Sequence, residues 1–126
     1  MRGIAFWFFA SSILYILAGM ALGMHMSAAH EYTLAPAHAH LNLVGFVMMA
    51  IFGLFYHLVP QAGAGLLPRI HFALATLGLW LMVPGIVLVL KGGTDAFAAL
   101  GSILTVAATL LFLWILLRSR RVPAAA

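Results

Sequence analysis

Histidine is the residue type in this 126-residue chain that is best suited to chemistry, and there are six of them. An imidazole ring can bind a metal ion, and it can take up or release a proton near neutral pH. Cysteine is absent, which excludes disulfides, thiolate metal sites, iron–sulfur clusters and cysteine nucleophiles. The histidines fall into three groups along the chain: His25 with His30, His38 with His40, and His57 with His71.

The composition predicts that these histidines belong to a membrane protein. Hydrophobic residues make up 66% of the chain and charged residues only 6%. A soluble domain of ordinary composition has roughly a quarter charged residues, so a chain this poor in charge requires the lipid bilayer as its solvent. The net charge of +4 comes from scattered cations that form no basic patch, and we therefore expect no nucleic-acid partner.

Four segments are apolar enough to cross a membrane as helices, for which about 20 residues are needed. They cover residues 3–24, 36–58, 69–90 and 96–117 approximately. The segments between them contain the Gly, Pro and polar residues that are typical of loops. Because lipid admits only helices or closed barrels and no stretch resembles a strand, we expect an all-α integral membrane protein. Residues 1–126 would form a single domain of four transmembrane helices, with Pro84 as a candidate kink in the third.

The distribution of cations predicts the orientation in the membrane. With four spans, both termini and the second loop share one side, and the first and third loops share the other. Lys91 is the single cation of the latter side, whereas the former carries Arg2, Arg69, Arg118, Arg120 and Arg121. Cytoplasmic segments are enriched in Lys and Arg, so we expect both termini in the cytoplasm and the start of the second helix near the outer surface.

His38 and His40 are predicted to address two different neighbours. Consecutive helical residues are rotated by about 100°, so side chains two positions apart point about 200° away from each other. The His38 side continues at helical spacing through Asn42, Gly45, Met49, Gly53 and Tyr56. Small residues there would let a flat cofactor approach the backbone, and a neighbouring helix would use them equally well. Cofactor ligation and interhelical hydrogen bonding are therefore both open.

The remaining histidines are weaker candidates. His57 follows His38 by 19 residues, about 28 Å along a helix, so His57 and His71 cannot share a site with the outer histidines. Both are expected near the lipid headgroups, where they can reach water. His25 lies between Met24 and Met26, and since Met and His are acceptable copper ligands, it is a candidate for copper binding.

The stretch His38-Ala-His-Leu-Asn-Leu-Val-Gly-Phe, running on to Gly53-Leu-Phe-Tyr-His-Leu-Val-Pro60, resembles the catalytic subunit I of the haem–copper oxidase superfamily. It is most similar to the branch of nitric oxide reductases and C-type cytochrome oxidases. In that family a His-x-His on one helix ligates two haems, one from each face, toward the outer side of the membrane. The resemblance implies that His38 and His40 bind the iron of haem b, with Asn42, Gly45 and Met49 in the cofactor site.

The resemblance also implies an assembly. The family's subunit I has twelve helices in three four-helix arcs around a pseudo-threefold axis, and the second helix of an arc can carry metal-ligating histidines. Three copies of this chain would reproduce those twelve helices as a cyclic homotrimer with closed interfaces. Each haem would then lie between adjacent subunits, with His38 of one and His40 of the next as axial ligands.

The chain departs from the family in the residues that copper chemistry requires. The family's second metal takes histidines from additional helices, whereas the fourth predicted helix here has none and the third has only His71. No acidic residue lies deep in a span, and neither Tyr15 nor Tyr56 matches the family's redox-active tyrosine. Oxidoreductase activity is left open, and we do not expect this chain alone to reduce oxygen to water.

The leading hypothesis is a haem b protein of the bacterial inner (plasma) membrane that transfers electrons or binds NO or O₂. A quinol or a small cytochrome c would be its electron partner, and covalent haem attachment is excluded because no Cys-x-x-Cys-His motif exists. Bis-histidine ligation favours electron transfer, whereas an open axial position permits gas binding. Two alternatives are an accessory subunit of a respiratory complex and a small metal or proton transporter with the outer histidines as a relay.

Overall fold

The computed structural model describes residues 1–120, which fold into four long helices. Helix α1 spans Gly3–Ala29, α2 Ala35–Leu58, α3 Leu67–Leu90 and α4 Ala96–Ser119. A short 3₁₀ turn, Pro60–Gly63, connects α2 to α3. All four helices are long and apolar enough to cross a membrane. The protein is therefore a multi-pass helical membrane protein, which confirms the prediction from composition.

The observed helix boundaries differ from the predicted ones mainly in α1. No Gly or Pro interrupts residues 24–29, so the helix continues to Ala29 and ends at His30, whose φ of 51° is left-handed. His25, expected in a loop, thus lies within α1. Helix α3 begins at Leu67, with Pro68 in its first turn, and it continues through Pro84 to Leu90.

The start of α1, the α2–α3 connection and the end of α4 lie together at one end of the bundle, which we call the termini end. A Cβ added to Gly63 in the connection would lie 3.4 Å from Cγ2 of Ile4. Ile115 and Arg118 of α4 line a cleft together with the same connection. The loops 30–34 and 91–95 form the opposite end. Arg121, which the cation count includes, lies outside the described residues.

Helices α1 and α2 pack antiparallel, with glycines at their closest approaches. A Cβ added to Gly53 of α2 would lie 2.9 Å from the backbone nitrogen of Phe9. On α1, Gly19 and Gly23 face Asn42 and His38 respectively. Small residues are what allows membrane helices to approach this closely. The contact holds the start of α2 firmly against α1.

Helices α3 and α4 also pack closely along their length, and three buried glycines lie at this contact. A Cβ added to Gly101 of α4 would lie 2.6 Å from Cα of Met82, and one added to Gly85 of α3 would lie 2.8 Å from Cα of Ala98. A Cβ added to Gly78 would lie 2.7 Å from Oγ1 and 2.9 Å from the backbone nitrogen of Thr105. Because the neighbouring atoms include backbone at each glycine, a larger residue could not be accommodated by a change of rotamer.

An aromatic cluster nearer the termini end joins all four helices. The rings of Phe8 and Phe72 have centroids 4.9 Å apart, and those of Phe52 and Phe112 are 4.6 Å apart. Such tilted and edge-to-face pairs contribute about 0.5–1.5 kcal/mol each beyond the area they bury. Outside this cluster, large apolar side chains are exposed along every helix, as expected where helices face lipid or further subunits.

Helix α2 changes its hydrogen-bond pattern directly after His40. Residues Ala35–His40 and Met49–Leu58 are α-helical, and Leu41–Met48 between them are π-helical, with hydrogen bonds that span five residues. Stretches of π-helix are rare in proteins and occur frequently at functional sites. The irregularity therefore marks the segment that follows the two histidines.

Candidate functional site

His40 lies on the lateral surface of the bundle with its ring exposed. Its Nδ1 is 2.8 Å from the carbonyl oxygen of Pro36, one turn earlier. A carbonyl oxygen can only accept a hydrogen bond, so Nδ1 carries a proton, and the lone pair of a neutral ring is then on Nε2. Metal-bound histidines typically have this arrangement, because the donated hydrogen bond fixes the tautomer and the orientation of the ring. Nε2 is thus the atom of His40 through which the ring could bind a metal ion.

The surface around His40 on α2 is apolar. Leu43 and Val47 follow it at helical spacing, and both are exposed. An imidazole on the lipid-facing part of a membrane helix is costly unless another group covers it. His40 lies in the first two turns of α2, so its ring can reach the headgroup region or contact an apolar partner that offers one electrophilic centre to Nε2.

His38 points to the other side of α2, as the 200° separation predicts. Its ring packs against Gly23 of α1, where an added Cβ would be 3.1 Å from Cε1. The amide nitrogen of Asn42 donates a hydrogen bond to His38 Nε2 over 3.1 Å. Within the described residues, neither His38 Nδ1 nor Asn42 Oδ1 has a hydrogen-bond partner, although both atoms are buried. His38 is thus held in the α1–α2 interface with half of its hydrogen-bonding capacity unused.

The small residues on the His38 side of α2 are occupied by neighbouring helices within a single copy of the chain. Tyr15 of α1 and Leu79 of α3 approach Gly45, where an added Cβ would lie 3.0 Å and 3.2 Å from them. Met49 is 1% exposed and belongs to the core. Helix packing, one of the two alternatives left open by the sequence, accounts for Gly45 and Met49 here. Their predicted place in a cofactor site has no support from this packing.

His25 and its flanking methionines point in different directions. Met24 and His25 are exposed, whereas Met26 is buried in the bundle. Met20 and Met24 are exposed one turn apart on α1. No group of three or more His, Cys, Asp or Glu side chains converges on a metal position within residues 1–120. Copper binding at His25 stays a prediction, and its further ligands would be the thioether groups of nearby methionines.

The structure adds a buried polar pair, Tyr56 and His71, that sequence reasoning missed. His71 is fully buried, although its position in the chain placed it near the headgroups. The Tyr56 hydroxyl lies 2.9 Å from His71 Nδ1, and Nε2 of the same ring has no partner among the described residues. Phe8, Phe52 and Phe112 surround the imidazole at centroid distances of 4.9, 4.5 and 5.4 Å. The antiparallel relation of α2 and α3 is the signal in the sequence that could have indicated the pair. Tyr56 and His71 are equally far from the middle of the predicted connection, residues 59–68.

Removing the Tyr56 hydroxyl should destabilise the bundle, and removing both polar groups should not. Tyr56→Phe leaves both nitrogens of His71 buried without a partner, for which we expect a loss of about 1–3 kcal/mol. The double variant Tyr56→Phe/His71→Leu removes the whole polar pair and should recover most of that stability. Denaturation in detergent, followed by circular dichroism, measures both. A double variant that is less stable than Tyr56→Phe would show that His71 contributes beyond this hydrogen bond.

No protein-family model, curated protein or solved structure matches this chain. The similarity to subunit I of the haem–copper oxidases therefore rests on residues 38–60, and membership of that family stays a prediction. The described residues themselves establish a four-helix membrane bundle that presents one oriented imidazole, His40, on its lateral surface.

Proposed function

We propose that this protein binds haem b on the lateral surface of α2, where Nε2 of His40 would hold the iron. The observation that carries the proposal is the exposed ring of His40, whose Nδ1–H donates to the carbonyl of Pro36. A haem supplies an iron that changes oxidation state, together with a broad apolar ring that suits the exposed Leu43 and Val47. The π-helical stretch that begins at Leu41 adds further support, because such stretches concentrate at functional sites.

A single copy of the chain offers one wall of a haem site. Two clefts of about 400 and 460 Å³ lie at the termini end, and neither is lined by His40 or its neighbours on α2. A second protein surface must therefore cover the other face of the haem. The many exposed apolar side chains on all four helices are suited to such a contact.

The second wall, in this proposal, is another copy of the chain within a cyclic homotrimer of twelve helices. A heterologous contact between α2 and the adjacent copy closes after three subunits and leaves no unpaired interface. His38 of the adjacent copy would be the second residue that holds the iron. For this, its ring would have to leave the α1–α2 interface, where it packs against Gly23 and accepts the hydrogen bond from Asn42.

Such a protein would transfer electrons within a bacterial inner membrane, or bind NO or O₂ if one axial position stays open. The cation count favours a position of His40 toward the outer surface, which would suit a quinol within the bilayer or a small cytochrome c outside it as electron partner. The residues of the chain bind and orient the haem in this proposal, and they exclude water from it.

Absorption spectra of the detergent-purified protein test the proposal directly. We expect a visible absorption band in the dithionite-reduced state with the sharp α band of a low-spin haem b, and a particle mass of three chains by light scattering. Carbon monoxide added to the reduced sample should leave the spectrum unchanged if both axial positions are filled. A colourless preparation that also fails to take up added haem would overturn the proposal and favour an accessory subunit or a transporter.

A further inference from the structure

The charges of this protein are segregated between the two ends of the bundle. Its two acidic residues, Glu31 and Asp95, both lie in loops at the end opposite the termini. Hydrogen bonds from the side chain and backbone of Thr33 lower the pKa of Glu31, so this carboxylate stays ionised at neutral pH. The termini end carries no acidic side chain. It carries four exposed arginines: Arg2, Arg69, Arg118 and Arg120. No aspartate or glutamate of the chain therefore neutralises these guanidinium groups.

Two of the four arginines line clefts on either side of the α2–α3 connection. One cleft, of about 400 Å³, has Arg118 at its rim and an apolar floor that includes Leu67 and Ile115. The other, of about 460 Å³, has Arg69 beside Ile4 and Trp7. Each cleft thus combines one guanidinium group with apolar side chains at the level where a membrane helix begins or ends.

The beginning of α3 adds to the positive potential shared by the two clefts. This helix starts at Leu67, and no side chain caps its first turn. The unpaired N–H groups of a helix N-terminus carry a partial positive charge that favours anions. The guanidinium group can in addition bind a phosphate through two parallel hydrogen bonds.

We infer that each cleft holds one anionic phospholipid from the leaflet at the termini end. The lipid phosphate would bind Arg118 in one cleft and Arg69 in the other, and the acyl chains would lie along the apolar floor. The occupant is a lipid because the clefts open at the end of the transmembrane helices, and it is anionic because no carboxylate neutralises the arginines there. The inference is independent of haem binding.

Titration with lipids in a native mass spectrometer tests the inference on the intact purified protein. We expect two molecules of phosphatidylglycerol to bind per chain in preference to phosphatidylcholine. Arg69→Gln and Arg118→Gln should each remove one of these lipids, weakening its binding about tenfold or more through loss of a charged hydrogen bond. The conservative variant Arg118→Lys keeps the charge but not the two parallel hydrogen bonds, and should bind more tightly than Arg118→Gln.

Arg120→Gln is the matched control, because it removes the same charge at the same end from a residue that lines neither cleft. Loss of a general surface attraction should weaken lipid binding by about fivefold at most. Equal losses in Arg118→Gln and Arg120→Gln would overturn the inference in favour of diffuse attraction. Equal affinity for phosphatidylcholine and phosphatidylglycerol would overturn it as well.

Discussion

Replacing His40 with alanine should abolish haem binding and leave the helix bundle folded. The ring is exposed and its one hydrogen bond is to Pro36 on its own helix, so its removal opens no cavity in the core. Loss of an outer-shell partner of a metal ligand typically costs ten- to a hundredfold in affinity, and loss of the ligand itself should cost more. The haem-to-protein ratio of the purified variant, with circular dichroism as the measure of folding, gives the result.

His57→Ala is the matched control for this prediction. His57 is an exposed histidine on the same helix near its opposite end, so its removal changes the histidine content without touching the proposed ligand. We expect the haem content of this variant to equal that of the unaltered protein. A His40→Ala protein that retains its haem, or a His57→Ala protein that loses it equally, would contradict the assignment of His40.

His38→Ala separates the ligand role of His38 from a packing role. If His38 of an adjacent copy fills the second axial position, the variant should keep haem through His40 and acquire an open position that binds carbon monoxide. This is the outcome we expect. If His38 serves only the α1–α2 interface against Gly23, the reduced spectrum should be unchanged and only the stability of the bundle should fall.

The face of α2 on which each residue lies was predictable from the sequence, because it depends only on local helix geometry. The rotation of about 100° per residue separates His38 from His40, and the structure indeed places one against α1 and the other on the lateral surface. Gly45, Met49, Gly53 and Tyr56 were expected on one face, and all four are buried. The π-helical stretch was not predictable, because no residue type specifies it, but it left this assignment of faces intact.

Features that depend on contacts between distant residues were not predictable. His71 was expected near water because it lies close to a predicted helix end. In the structure α3 begins earlier, at Leu67, and aromatic rings from the neighbouring helices enclose His71. The predicted end of α1 near residue 24 is wrong for a local reason: the polar His25 is typical of a loop, yet the helix continues past it to Ala29.

The second large effect is expected at Gly101, where α4 meets α3. Gly101→Ala adds a methyl group 2.6 Å from Cα of Met82 and 2.7 Å from the carbonyl oxygen of Gly78. These neighbours are backbone atoms, so the two helices must separate to admit the methyl group. We expect a loss of about 3 kcal/mol for alanine, at the upper end of the range for overpacked sites. Gly101→Val should prevent stable association of α3 with α4.

The sign of the change in stability caused by Gly101→Ala shows whether close packing against α3 or the helix propensity of alanine dominates at this position. Alanine is favoured over glycine in a helix by about 1 kcal/mol, so a helix that faced only lipid would be stabilised by the substitution. Ala99→Val provides the control, because it enlarges an exposed residue of the same helix two positions away. Denaturation in detergent should therefore show Gly101→Ala strongly destabilised and Ala99→Val little changed. An unchanged or raised midpoint for Gly101→Ala would mean that α3 and α4 do not pack as closely as these glycines indicate.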